Sequence, residues 1–217
     1  MLSWRQQLHQ SVNLGGVSAL ASVIRRPHLL QPHIRATNLS CVDWNAIRRA
    51  GITGCVVDKD NTVTTPHEHT VHNCAQNGMR ALLDAFDSNV VLVSNSAGQR
   101  TFDPTGKKAD ALERSLGSRI LRHASRKPAS NAAEIKRELK CELDHVVVVG
   151  DRLVTDILYG NRMGTFTVHV LPLEPRRDNL AVRGSRFFEE SVARLLKSSP
   201  PNHFAIEEPS LKRLHDQ

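Results

Sequence analysis

Three short apolar runs end abruptly in polar side chains, and this pattern constrains the fold more than any other feature of the chain. "ITGCVVDKD" runs into Asp58 and Asp60, "VVLVSNS" into Ser94 and Asn95, and "DHVVVVGD" into Gly150 and Asp151. Valine-rich runs without polar alternation are strands buried on both faces. Between and after them lie segments of helical character. In residues 69–86, Val71, Ala75, Met79, Leu82, Leu83 and Phe86 recur at helical spacing. "TGKKADALERSLG" is a helix with a glycine stop, "NAAEIKRELK" a second helix and "RLVTDILYGNRMG" a third; "SRILRHA" reads as a short edge strand and "TFTVHV" as a further strand. Buried strands alternating with helices make a mainly parallel sheet with helices on both faces, a Rossmann-like α/β fold. In such sheets the active site lies beyond the carboxyl ends of the strands. The residues that terminate the runs are therefore the ones to read.

The flanks divide the chain into three parts. Residues 1–42 form an N-terminal segment, residues 43–171 the core, and residues 172–217 an extension with one helix and a mobile tail. No acidic residue precedes Asp43, while Arg5, Arg25, Arg26 and Arg35 are spread through a segment rich in Ser, Gln, Leu and Val. That start resembles a mitochondrial transit peptide. It equally fits an amphipathic helix lying on a membrane, with "VSALASVI" as its apolar part, or a helix packed on the domain. Pro27 and Pro32 break the pattern, and "PHLLQPHIRATNLSCVDW" reads as an extended connector. "VDWNAIRRAG" fits a short helix capped by Asp43 and ended by Gly51. Near the C-terminus, "SRFFEESVARLLKS" is amphipathic, with Phe187, Phe188, Val192, Leu195 and Leu196 on one side.

The formal charge of +7 calls for anionic partners: nucleic acid, an anionic membrane or a phosphorylated substrate. No apolar run approaches the roughly 18 residues of a membrane-spanning helix. Four cysteines without a C-x-x-C pair read as reduced thiols.

Asp58 and Asp60 stand one residue apart. On a strand they would share a face, with Lys59 on the other side, and ionising both is unfavourable unless a cation or a proton relieves it. Together the strand ends supply carboxylates, the Ser94 hydroxyl and the Asn95 amide, and Lys127 in "SRKPAS" adds an ammonium just before a helix. This set suits phosphoryl transfer. A carboxylate attacks phosphorus, and a neighbouring acid protonates the leaving oxygen and then deprotonates water. Magnesium accepts the hard oxygens, and hydroxyl and ammonium groups neutralise the phosphoryl oxygens. Lys107, Lys108 and Arg126 are rivals to Lys127 for the cationic role. His67, His69 and His72 share no helical face and lack a cysteine to complete a zinc pattern, so they read as a solvated loop near the site mouth.

D-x-D-x-T at 58–62, a strand ending in Ser94, Lys127 before a helix and G-D-x-x-x-T-D at 150–156 resemble, in order, the motifs of the haloacid dehalogenase (HAD) superfamily. "DKDNT", "VVLVSNSAG", "RKP" and "VVVVGDRLVTDILYGNRMG", with "SVNLGG" and "RRPHLLQPHI" upstream, are similar over about residues 11–170 to the mitochondrial phosphatidylglycerophosphate phosphatase family. The resemblance implies a nucleophile and magnesium ligand at Asp58. It implies a general acid/base at Asp60, whose backbone carbonyl also meets the metal. Thr62 would shape the turn, Ser94 and Asn95 would hold phosphoryl oxygens, and Lys127 would hold the charges of nucleophile and phosphate. Asp151 would complete the Mg2+ site, and Asp156 would support it from the following helix. Ala129 stands where related chains often have glycine after the K-P pair.

The intervals 60–94 and 94–127 are too short for an inserted cap domain, so the expected fold is capless with an open site, plus an N-terminal amphipathic helical extension. The implied reaction is magnesium-dependent hydrolysis of phosphatidylglycerophosphate to phosphatidylglycerol through an aspartyl phosphate, in cardiolipin synthesis. The implied setting is the matrix side of the inner mitochondrial membrane, with an anionic phospholipid substrate, peripheral membrane contact and no nucleic acid. Nothing in the residues fixes an oligomeric state. The alternative reading is a capless phosphatase acting on phosphoproteins or nucleic acid ends.

Overall fold

The valine-rich runs stand at the centre of one sheet, because β-branched side chains suit a pleated surface buried on both faces. The computed structural model describes residues 26–94, 96–124, 127, 132–178, 180–196 and 199–200. Its strands are β1 (Ile34–Ala36), β2 (Gly54–Asp58), β3 (Val90–Val93), β4 (Arg119–Ile120), β5 (Val146–Gly150) and β6 (Phe166–Val170). They pair in the order β1-β6-β5-β2-β3-β4, every pair parallel. From β2 the chain winds outward to β4, then crosses back to β5 on the other side of β2. That reversal puts the ends of β2 and β5 side by side at the switch point where α/β sheets bind ligands.

Alternate strand residues face opposite helical layers. Cys55, Val57, Val147 and Val149 join one core with α1 (Trp44–Arg49), α2 (Asn73–Ala85) and α3 (Lys107–Leu116). Val56, Val146 and Val148 face α4 (Ala132–Leu139) and α5 (Leu158–Met163). The caps follow the expected chemistry. The Asp43 carboxylate accepts from the Ala46 N–H at 2.8 Å, and Gly117 and Gly164 end α3 and α5 in the left-handed region.

The connector expected before residue 42 is instead part of the sheet. Ile34–Ala36 pair in parallel with Val168–Val170, and Leu30, Ile34 and Leu39 are buried. The Trp44 indole N–H donates to the Leu39 carbonyl at 2.9 Å, which fastens the turn Leu39–Cys41. The core therefore begins well before the boundary drawn at residue 42. Three residues are too few to show a strand period, so only the pairing reveals β1.

The C-terminal extension is also integrated. Helix α6 (Leu180–Leu196) packs Ala193 and Val192 against a small core containing Leu29, Leu30, Leu153 and Ile157. Between β2 and β3 lie one loop and α2, and between β3 and Lys127 lie α3 and β4. Among the described residues there is thus no inserted cap. The amphipathic helix expected over residues 1–26 and the tail from 201 fall outside the described residues, residue 26 apart. No helix among the described residues is long and apolar enough to cross a membrane.

Gly78 shows how tightly the N-terminal turn docks. A Cβ there would sit 2.3 Å from the Leu39 carbonyl carbon. Backbone cannot yield as a side-chain tip can, so Gly78→Ala is expected to destabilise the fold by about 1–3 kcal/mol, measured by urea unfolding.

Candidate active site

Asp58 ends β2, and Lys59 continues the ladder by donating its N–H to the Val93 carbonyl at 3.0 Å. The chain then turns sharply, with Asn61 at φ +64°, a conformation that asparagine tolerates better than most residues. Lys59 departs from the expectation of a lysine turned idly away. It is 2% exposed, and its ammonium donates to Asp60 Oδ1 at 2.6 Å, Thr64 Oγ1 at 3.0 Å and the Glu68 carbonyl at 3.1 Å. One buried cation therefore ties the loop after β2 together and holds the Asp60 side chain. Asn61 fastens the same loop to the chain beyond β6: its Nδ2 donates to Asp178 at 2.9 Å and its Oδ1 accepts from the Glu174 N–H.

Side by side with β2, β5 delivers Asp151, and a single π-type turn, Leu153–Ile157, delivers Asp156. The Asp156 carboxylate folds back onto the strand end, accepting from the Arg152 N–H at 3.1 Å. Gly150 makes this possible, since a Cβ there would lie 2.4 Å from Asp156 Cγ. Ligand oxygens of Asp58, Asp151 and Asp156 all lie within 4.8 Å of one another. Asp156 thus stands closer to Asp58 and Asp151 than support from the following helix implied. Asp156 joins the carboxylate group directly, while the Asp60 side chain turns to Lys59. The π-type turn explains the change, because it swings Asp156 inward where a regular helix start was expected.

Two cations enter this group. The Lys127 ammonium, buried like its partners, donates to Asp58 Oδ1 at 2.5 Å and to Asp156 Oδ1. Arg186, from α6, donates to Asp151 Oδ2 at 2.5 Å and to the Asp151 carbonyl at 2.8 Å. Its Nε reaches Asp178 at 2.8 Å. Sequence reasoning missed Arg186, Lys59 and Asn61. For Arg186 no motif spacing signals the role, and only the docking of α6 brings it in. Ser94, fully buried one residue past β3, keeps its hydroxyl 3.1 Å from that of Ser96. Asn95 falls outside the described residues. Thr62 is buried, and its hydroxyl has no partner among the described residues.

The electrostatics follow from burial. Three carboxylates against two cations, 3 − 2, leave one excess negative charge if all are ionised. Burial pushes the Asp58 carboxyl well above the usual carboxylate range; Lys127 opposes this, and Asp156, Asp151 and Asp60 add to it. Burial likewise pushes Asp151 up to about 6 despite Arg186. Lys127 is held above its ordinary value although burial opposes charging it, because Asp156 and Asp58 flank it. His169 is depressed to about 4 by burial and by Arg35, so it is a neutral imidazole beside the Asp151 carbonyl at 3.2 Å. Hard carboxylate oxygens grouped at this spacing and short of positive charge fit a divalent cation such as magnesium. The donor set would be Asp58, Asp151 and Asp156.

Carboxylates and a buried lysine beyond the ends of a parallel sheet fit a phosphatase of the HAD type. The model of the mitochondrial PGP phosphatase family matches residues 14–172. The chain is 40% identical over 201 residues to phosphatidylglycerophosphate phosphatase 1, chloroplastic, of Chlamydomonas reinhardtii, an alignment covering 91% of this chain and 75% of that protein. It is 36% identical over 183 residues to phosphatidylglycerophosphate phosphatase 1, chloroplastic/mitochondrial, of Arabidopsis thaliana, covering 84% of this chain and 53% of the relative. A probable mitochondrial phosphatidylglycerophosphatase of Schizosaccharomyces pombe is 29% identical over 175 residues, covering 72% and 81% of the two chains. No solved structure matches. The chain belongs to the mitochondrial PGP phosphatase family.

Two outcomes are expected of this site. A carboxyl whose pKa is raised by folding adds stability below its unfolded value near 4 and loses it as pH rises through the folded value, about 6 for Asp151. A cation that binds the ionised carboxylates offsets that loss. Saturating magnesium should therefore raise the melting temperature by roughly 5–10 °C at pH 7.5 and hardly at pH 5, relative to chelator. Equal shifts at both pH values would contradict the assignment. Gly150→Ala should displace Asp156 and weaken magnesium binding by about 10–100-fold in calorimetric titration, with the circular dichroism spectrum retained.

Proposed function

We propose that the protein hydrolyses phosphatidylglycerophosphate to phosphatidylglycerol, through a phosphoryl-aspartate on Asp58, as a step of cardiolipin synthesis. The observation that carries this reading is the placement of Asp58 at the β2 end, against Lys127 and within the carboxylate group that includes Asp151 and Asp156. The names of the relatives support the substrate. The mitochondrial naming of the family and of two relatives supports a mitochondrial location, which we place on the matrix side of the inner membrane.

Each residue then has a definable task. An Asp58 oxygen forms the new P–O bond while the bond to the leaving glycerol oxygen breaks, and the Asp60 carboxyl gives that oxygen a proton. Asp60 then takes a proton from the water that attacks phosphorus, which releases inorganic phosphate and restores Asp58. For this Asp60 must leave Lys59, and its side chain, 35% exposed, has room to do so. The ammonium of Lys127 opposes the burial that pushes the Asp58 carboxyl up and, with the Ser94 hydroxyl, faces the phosphoryl oxygens. When bound, magnesium supplies the charge that neutralises those oxygens and the clustered carboxylates.

The decisive experiment is phosphate release from phosphatidylglycerophosphate in mixed micelles, compared with a phosphopeptide and a 5′-phosphorylated oligonucleotide. The lipid should be preferred with magnesium present. Asp58→Asn should reduce turnover on the order of 10³-fold or more. Robust turnover by Asp58→Asn would remove the nucleophile, and preference for the peptide or oligonucleotide would replace the lipid.

A further inference from the structure

Helix α6 is amphipathic in the inverted sense. Apart from Ala193 and Val192, the side it turns to the protein is polar. Glu189, 4% exposed, accepts from Arg152 at 2.7 Å and from Ser185 at 2.6 Å. Glu190 accepts from Arg35 at 3.2 Å, and Arg186 grips Asp151 and Asp178. The side it turns outward is greasy: Phe187 is 79% exposed, Phe188 50% and Leu195 81%. A helix of a soluble domain ordinarily does the reverse, since bulky apolar side chains gain by leaving water. Scattered single exposed residues need no account, but these three lie at 187, 188 and 195, on one stripe at helical spacing and about 12 Å long.

The stripe adjoins the carboxylate group. Phe187 directly follows Arg186. A cavity of about 470 Å³ runs from Asp151 and Arg186 to Leu153, Leu171, Pro172 and Phe187. Leu171, just past β6, is itself 53% exposed. Arg35, His169, Glu189, Glu190 and Arg194 line the same cavity, so a mixed apolar and charged surface leads from Phe187 on α6 to the mouth of the site. Its rim is basic. The Arg194 side chain is 83% exposed, and Arg176 and Arg183 are exposed as well.

We propose that the outward face of α6 is a docking surface for an anionic lipid bilayer, with Phe187, Phe188 and Leu195 entering the headgroup boundary and Arg183 and Arg194 meeting lipid phosphates. The choice of partner rests on the lipid-substrate reading above and on charge: a basic rim on a chain of formal charge +7 complements an anionic surface. A protein partner fits less well, because three apolar side chains on one narrow stripe fall far short of the roughly 800 Å² per partner that a specific protein interface buries. Docked this way, the bilayer faces the cavity that ends at Asp151, and a phosphorylated headgroup is presented to Asp58 while its acyl chains stay in the membrane.

The test uses the full chain and vesicles of phosphatidylcholine with 30% phosphatidylglycerol, or phosphatidylcholine alone. In flotation, the double variant Phe188→Ser/Leu195→Ser should bind the anionic vesicles at least tenfold more weakly than the parent, at unchanged melting temperature and unchanged hydrolysis of a soluble aryl phosphate. Because other segments can add affinity, a second measurement locates the contact. In Phe187→Trp, the added indole emission should shift to the blue on the anionic vesicles and be quenched by brominated acyl chains. Undiminished flotation of the double variant together with an unquenched indole overturns the proposal. So does parent protein that dimerises in scattering measurements through this face and loses the dimer in the double variant. If quenching is seen but phosphatidylglycerophosphate is not hydrolysed, docking stands and the substrate reading falls.

Discussion

The buried Lys127 ammonium between Asp58 and Asp156 is the interaction on which the site depends. Carboxylates packed this closely resist ionisation, and burial makes the resistance stronger. One lysine shared between two of them, with an arginine on the third, offsets that resistance only in part. The remaining deficit gives the site its appetite for a divalent cation. Such a cation, together with Lys127, would favour the ionised form of Asp58, whose carboxyl burial pushes well above the usual range.

The fold supplies the positions for that balance. Reversal of the strand order at β2 and β5 sets two strand ends side by side, and a π-type turn after β5 bends a third carboxylate back over Gly150. Helix α6 then closes one flank with Arg186, so the C-terminal segment contributes to the site as well as covering the small core around Leu29 and Leu153. The loop after β2 is fixed separately. Lys59 gathers Asp60, Thr64 and the Glu68 carbonyl, while Asn61 ties that loop to the segment leading into α6. Two independent polar fastenings thus stiffen the loop that carries Asp60, which sits at the rim, where it has room to move.

Much of this was legible in the residues. Asp58, Ser94 and Asp151 announce themselves because an uninterrupted apolar run must end where its strand leaves the core, and the chain puts polar groups there. Asp60 and Lys127 are readable from motif order. Asp156 was visible but its closeness to Asp58 and Asp151 was not, since a heptapeptide motif does not say whether the turn it belongs to is α or π. Arg186 carried no signal: an arginine in an amphipathic helix is ordinary until its contact is known. Residues 34–36 were read as connector because a three-residue strand has too little sequence to show a period. Spacing grouped Phe187, Phe188 and Leu195 with Val192, yet it could not say that the first three face outward while Val192 packs against the small core.

The sequence by itself determined the parallel α/β class and the residues at the strand ends, because these follow from local periodicity and from where apolar runs stop. Tertiary structure alone decided which carboxylates meet, which cations neutralise them and which face of α6 meets solvent. Those outcomes turn on contacts between residues as far apart as Asp58 and Lys127, or Asp151 and Arg186. A through-space electrostatic pairing leaves no pattern along the chain.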